Sequence, residues 1–82
     1  MIEEIKSKIE KPLMQKNIKL CDIKYAKEEG INTLFIIVES DVVDLDLCVE
    51  ATQIINPIID ELDIIKEEYV LDVSGKVSGN ER

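Results

Sequence analysis

The spacing of apolar residues along this 82-residue chain predicts two amphipathic helices. In residues 2–16 the apolar side chains recur three or four positions apart, which places them on one helical face. That face consists of Ile2, Ile5, Ile9 and Leu13. Pro12 removes one backbone donor and is expected to bend the helix without ending it. Asn17 tolerates the left-handed conformation that closes many helices, so we expect the helix to end there.

The second helix is predicted over residues 44–60, and the rest of the chain is organised around this stretch. Asp44 is a good N-cap, since a short carboxylate accepts a hydrogen bond from a free first-turn amide, and Asp46 adds charge that the helix dipole favours. Two neighbouring apolar stripes run along it: Cys48, Ala51, Ile55, Ile58 and Leu62, and Leu47, Ala51, Ile54 and Ile58. Pro57 predicts a kink or a short break near residues 53–56.

Alternating and β-branched runs predict three strands, at residues 18–26, 32–39 and 69–74. The predicted core-facing side chains are Cys21, Ile23 and Tyr25 in the first, Leu34, Ile36 and Val38 in the second, and Tyr69, Leu71 and Val73 in the third. Leu20 breaks the alternation, which is consistent with a bulge near the start of the first strand. Residues 27–31 include Gly30 and predict the turn of a hairpin.

These elements predict an α+β fold of two layers in the order α-β-β-α-β, with both helices on one face of a three-stranded sheet. We expect the third strand beside the first, so that all neighbouring strands are antiparallel. The other sheet face, with Phe35, Ile37 and Val70, then stays open. Open apolar patches often mark interaction sites, although scattered apolar surface residues are also normal.

Charge is distributed unevenly along the chain, whose net charge is −8. Residues 1–27 hold seven lysines against four acidic residues, whereas residues 28–72 hold one lysine against thirteen. Because phosphate backbones are bound by neutralising them with Lys and Arg, we expect direct binding to RNA to be weak. A basic protein is the better electrostatic partner, and the alternative is that the acidity only keeps the domain soluble.

No combination of residues predicts catalysis, a cofactor or a metal site. The chain has no histidine, the usual catalytic base, and its two cysteines are expected to be free and structural. The carboxylates at Asp41, Asp44 and Asp46 lack the central glycine and distal glutamate of a calcium loop. The glycines at 75 and 79 fit neither a phosphate loop nor an RNA-binding Gly-x-x-Gly clamp. With neither a signal-peptide pattern nor a membrane-length apolar run, we expect a cytoplasmic protein that does not enter a membrane.

Three segments, taken together, resemble one known family. The first is Ile-Glu-Lys-Pro-Leu at residues 9–13 followed by residues 18–25. The second is residues 34–39 running into the Asp-Leu-Asp-Leu-Cys-Val-Glu-Ala-Thr sequence of residues 44–52. The third is Asn-Pro-Ile-Ile-Asp at residues 56–60 continuing to the Glu-Tyr-Val-Leu-Asp-Val-Ser sequence of residues 68–74. In order and spacing they are similar to the N-terminal domain of the bacterial ribosome maturation factor RimP, in its Gram-positive members.

The resemblance implies a KH-like domain and a factor without enzymatic activity that binds the free small ribosomal subunit during its maturation. Residues 1–74 would form the domain and residues 75–82 a flexible tail or linker. The family also has a C-terminal SH3-like barrel, which these residues do not include, so an excised domain and a stand-alone relative are both open. Of the family's segment that follows the last strand, only Ser74 and Arg82 match.

Combined with the open face, the resemblance predicts a binding site without any catalytic role. The candidate interaction surface comprises Phe35, Ile37, Val70, Asp72, Ser74 and Arg82. Its expected partner is the small ribosomal subunit or a basic ribosomal protein. The alternative function is a protein-interaction or homodimerisation module that uses the open sheet face.

Overall fold

The computed structural model describes residues 2–41 and 44–77 of the chain. Its elements, in order, are α1 (Ile2–Met14), β1 (Lys19–Glu28), β2 (Ile31–Ser40), α2 (Leu45–Leu62) and β3 (Val70–Val77). The predicted element order and the α+β class are therefore confirmed. The strands are longer than predicted, and β3 continues three residues past Ser74, to Val77.

The end of α1 follows from the sequence signal at Asn17. Asn17 has a φ of 61°, and two backbone bonds close the helix around it. The Ile18 amide donates to the Leu13 carbonyl at 2.9 Å, and the Asn17 amide donates to the Met14 carbonyl at 2.9 Å. This is the Schellman arrangement, in which buried Leu13 and Ile18 supply the accompanying apolar contact. Pro12 lies inside the helix, as expected.

A two-residue turn joins β1 to β2 and fixes how the two strands pair. Glu28 pairs with Ile31 across the turn. The intervening Glu29 and Gly30 have φ values of 52° and 79°, and positive φ at both positions is the mark of a type I′ hairpin turn. The predicted turn over residues 27–31 is thus correct in place but shorter than expected.

The predicted irregularity in β1 is confirmed, but its effect on Cys21 was not foreseen. The register shifts between Leu20 and Asp22, so Cys21 is the extra residue of a bulge. Leu20 is consequently buried with the core, whereas Cys21 is exposed. The prediction of a core-facing Cys21 is wrong because the bulge restores the alternation only from Asp22 onward.

The predicted strand order is also wrong. The order is β1-β2-β3, with β2 in the centre, antiparallel to β1 and parallel to β3. Strands that follow one another in sequence are usually neighbours, and an intervening helix returns the chain to the starting end of the previous strand. The charged residues of β1 suit an exposed edge, while the nearly continuous apolar run of β2 suits the centre.

Helix α2 is a single uninterrupted helix with both ends capped. The Asp44 carboxylate accepts a hydrogen bond from the Leu47 amide at 3.0 Å, which confirms the predicted N-cap. Asp63 ends the helix with a φ of 52°, and its amide donates to the Ile59 carbonyl. Pro57 lies inside the helix, so the alternative of a short break near residues 53–56 is wrong.

The core lies between the two helices and one face of the sheet. Helix α1 packs on β1, α2 packs on β3, and the helices contact each other. The buried side chains are almost entirely aliphatic: Ile5, Ile9, Leu13, Ile18, Leu20, Leu34, Ile36, Val38, Leu47, Ala51, Ile55 and Ile59. Both helices therefore cover the same sheet face, as predicted, and the other face has no covering layer in the described part of the chain.

Candidate interaction surface

The uncovered face of the sheet, here called the open face, is built by alternate residues of the three strands. Directly paired residues of neighbouring strands point to the same side. Across the sheet, Lys24 pairs with Phe35 and Phe35 with Asp72, so these three side chains form one row. The neighbouring rows are Asp22–Ile37–Ser74 and Ala26–Thr33–Val70.

Five of the six predicted surface residues are brought together on this face. Phe35 and Ile37 are partly buried, and Val70 is 50% exposed. Asp72 and Ser74 lie on the adjacent strand, as the partners of Phe35 and Ile37. Arg82 lies outside the described residues. The alternation of β2 and β3 thus correctly assigned these five residues to one face, even though the strand order was wrong.

Two depressions lie next to each other on the open face. The first is lined by Glu28, Glu29, Ile31, Thr33, Phe35, Val70 and Asp72, at the end where β1 turns into β2. The second is lined by Asp22, Lys24, Glu28, Phe35, Ile37, Asp72 and Ser74. Phe35 and Asp72 belong to both, so the depressions are continuous.

The hairpin end, defined as Glu28, Glu29, Ile31, Phe35, Val70 and Asp72, combines apolar side chains with carboxylates. Ile31 is 53% exposed and Val70 is 50% exposed, so both present apolar surface to solvent on the same side of the sheet. Within residues 2–41 and 44–77, Glu28, Glu29 and Asp72 form no ion pair. This end of the open face is therefore an apolar floor bordered by Glu28 and Glu29 at the turn, with Asp72 and Lys24 on either side of Phe35.

Sequence reasoning missed Glu28, Glu29 and Ile31, which had been assigned to the turn. These residues belong to the open face only because the turn is tight. A two-residue turn lets Glu28 and Ile31 pair as strand residues of that face. The signal was the Glu-Gly dipeptide itself, since a glycine between two alternating runs favours a short hairpin.

The loop between α2 and β3 is hydrogen-bonded to β2 beside the hairpin end. The Asn32 amide nitrogen donates to the Glu67 carboxylate at 2.9 Å and to the Glu68 carbonyl at 3.1 Å. These bonds connect segments far apart in the sequence. They hold the start of β3, and with it Val70, next to the hairpin turn.

The opposite end of the open face has a different charge pattern. Glu39 pairs with Lys19 on one side and with Lys76 on the other. Lysines and acidic residues alternate here, so this end has no strong net sign. The acidic character of the open face is concentrated at the hairpin end.

Two tyrosines, Tyr25 in β1 and Tyr69 directly before β3, are partly buried on the covered side. Burial raises the pKa of Tyr69, and the nearby charges of Asp60 and then Tyr25 raise this pKa further. The Tyr25 hydroxyl oxygen is buried and has no hydrogen-bond partner among the described residues. Both tyrosines pack against the hydrophobic core, and Tyr69 also borders a depression with Ile31 and Val70.

Three further features concern metal binding, disulfides and membrane insertion. Within 2–41 and 44–77, no cluster of three or more acidic or cysteine side chains is arranged to hold a metal ion. Cys21 and Cys48 are both unbridged. In the same part of the chain, neither helix is long and apolar enough to span a membrane.

The structure defines a small α+β domain with one covered and one open sheet face. Comparison with known families gives a direct match: the family described as the RimP N-terminal domain matches residues 8–75. Since the match covers most of the 82 residues, the chain belongs to the RimP N-terminal domain family. This family has a role in ribosome maturation.

Proposed function

We propose that this chain is a non-catalytic ribosome maturation factor that binds the free small ribosomal subunit in the cytoplasm, and that it does so through a basic ribosomal protein. The observation that carries the proposal is the family match over residues 8–75. The open face is proposed as the contact surface. It presents Phe35, Ile37 and Val70 without a covering layer in the described part of the chain.

Charge supports a protein partner over bare RNA. The strongly acidic part of the chain, residues 28–72, includes β2, α2 and the hairpin end. Ribosomal RNA presents a phosphate backbone that these carboxylates repel, whereas a lysine- and arginine-rich ribosomal protein is attracted to them. The proposed contact is consequently sensitive to salt.

Co-sedimentation with purified small ribosomal subunits tests this function. At low ionic strength the chain is expected to pellet with free small subunits, and added salt should release it. Large subunits serve as the matched control and should retain much less of it. If the chain stays in the supernatant with small subunits and with isolated basic ribosomal proteins at low salt, the proposal is wrong for this chain.

A second candidate function is homodimerisation through the same face, and it is favoured by the exposure of Val70 and Ile31. Analytical ultracentrifugation across a concentration series would detect the dimer. The substitution Ile37→Lys introduces a charge into the middle of the face and should weaken self-association. A chain that sediments as a monomer at all concentrations would remove this alternative.

A further inference from the structure

We propose that the hairpin end is the receptor for a lysine- and arginine-rich polypeptide segment that carries an apolar side chain. This inference deepens the proposed function, on which it rests, by specifying the chemistry of the partner and the place where it binds. It depends on three properties of the hairpin end: an exposed apolar floor, a rim of unpaired carboxylates, and a fixed geometry.

The apolar floor consists of side chains from two strands that are distant in sequence. Ile31 and Phe35 come from β2, and Val70 comes from β3, whose partner Thr33 lies between them. Ile31 and Val70 are each about half exposed, whereas Thr33 is 9% exposed. One apolar side chain of a partner would cover the floor and remove it from water, which favours association.

The rim of carboxylates selects the charge of the residues next to that apolar side chain. Glu28 and Glu29 border the floor on the hairpin side, and Asp72 borders it beside Phe35. In the described part of the chain, these three carboxylates face the single cation Lys24 on the far side of Phe35. None of the three is neutralised by an ion pair within residues 2–41 and 44–77. Lysine or arginine on both sides of the anchoring side chain would therefore lie close enough to form ion pairs with these carboxylates.

The same charges argue against the other occupants of this surface. A nucleic acid would bring phosphates to a rim that is already negative. A second copy of the chain would bring its own hairpin-end carboxylates into the interface. A cationic segment brings charge opposite to these carboxylates, so it is the occupant that the electrostatics favour.

The geometry of the receptor is fixed before any partner arrives. The two-residue turn at Glu29 and Gly30 sets the position of Glu28, and the bonds from Asn32 to the α2–β3 loop set the start of β3. Pre-organised surfaces lose less conformational entropy on binding. The hairpin end is thus expected to bind without a rearrangement of the sheet.

The first test uses a short fluorescein-labelled peptide of lysine, arginine, glycine and serine with a central leucine, measured by fluorescence anisotropy at low ionic strength. The control peptide has glycine in place of leucine and the same charge. Because leucine would be buried against the floor, the leucine peptide should bind about tenfold more tightly than the glycine peptide. Equal affinities would overturn the role of the apolar floor.

The second test uses protein variants matched for net charge. The pair Glu29→Gln with Asp72→Asn removes two rim carboxylates, whereas Glu10→Gln with Glu61→Gln removes two exposed carboxylates from the helices. Loss of two exposed ion pairs should weaken binding of the leucine peptide about fivefold in the rim variant, with no comparable change in the helix variant. Equal losses in the two variants would overturn the inference.

A third variant tests the floor without changing charge. Val70→Thr keeps the β-branched shape of an exposed strand residue, so the domain should remain folded, as circular dichroism would verify. This variant should lose part of the preference for the leucine peptide over the glycine peptide. An unchanged preference would contradict the placement of the anchoring side chain against Val70.

The same variants separate this inference from the proposed function. If the unsubstituted chain pellets with small subunits and the rim variant pellets equally well, the inference fails while the function stands. If the chain binds the leucine peptide at the rim but ignores small subunits, the function fails while the inference stands. Competition at the hairpin end by an RNA oligonucleotide, or occupancy by a second copy in ultracentrifugation, would overturn the inference.

Discussion

The two faces of the sheet contain similar apolar residues but differ in how deeply these residues are buried. Strand β2 shows this difference most clearly. Leu34, Ile36 and Val38 point to the helices and are completely buried, whereas Phe35 and Ile37 alternate with them on the open face and remain partly exposed. The β-branched composition of β2 therefore does not identify its buried side. The layer that packs against each face decides whether an isoleucine stabilises the fold or is available to a partner.

The largest expected effect contrasts two adjacent isoleucines on opposite faces. Ile36→Ala should destabilise the domain by about 2–5 kcal/mol, because it opens a cavity in a fully buried position. Ile37→Ala removes a partly exposed side chain and should cost about 1 kcal/mol. Urea titrations of the two variants measure this difference, and similar midpoints would show that the open face is as tightly packed as the covered one.

The hairpin turn sets the register of β1 and β2, and the register determines which residues lie on each face. Two substitutions with opposite expected effects on stability test the conformation of this turn. Gly30 has a φ of 79° with open space where a Cβ would lie, so Gly30→Ala should cost roughly 1–2 kcal/mol from backbone strain alone. Glu29→Asn should instead be neutral or stabilising, since asparagine tolerates a positive φ better. Thermal unfolding of both variants would show the opposite signs. A neutral Gly30→Ala would mean that the turn differs from the one described.

Helix α2 covers much of the buried face, and its N-cap should contribute measurably to stability. Asp44→Ala removes the acceptor of the Leu47 amide and should cost about 1 kcal/mol. Asp46→Ala is the matched control in the first helical turn and should cost only a few tenths of a kcal/mol, from the lost dipole interaction. Chemical denaturation separates the two. Equal costs would indicate that charge at the helix start matters more than the hydrogen bond.

The smallest expected effect is a pH dependence that belongs to the covered side. The raised pKa of Tyr69 in the folded domain leaves its contribution to stability intact below the ordinary tyrosine pKa of about 10. Above that pH the unfolded chain loses its proton first, so stability should fall. Tyr69→Phe should lose less stability than the unsubstituted chain over this range. Titration of tyrosinate absorbance checks the direction, and a Tyr69 pKa at or below the ordinary value would contradict it.

Local signals in the sequence predicted the elements and the residues of each face well. The Asn17 helix end, the Asp44 N-cap, the bulge after Leu20 and the grouping of Phe35 with Asp72 all follow from rules that act over a few residues. Such rules depend on backbone conformation and side-chain alternation, which a single sequence displays directly.

Long-range pairing was harder to predict, and it accounts for the errors. Whether β3 lies beside β1 or β2 depends on how α2 crosses the sheet, which no local pattern of β3 specifies. The carboxylates of the hairpin end were missed for a related reason. Glu28 and Glu29 became part of a surface only through a tight turn and through the arrival of β3 next to β2.

The parallel pairing of β2 with β3 links partner binding to folding. Because α2 lies between β2 and β3 in sequence, pairing Thr33 with Val70 closes a longer loop than the β1–β2 hairpin does, and it carries the greater loop-closure cost. We therefore expect the hairpin end to be completed late in folding. A ligand that recognises this surface would bind only the finished domain, and would raise its melting temperature in proportion to the logarithm of ligand concentration.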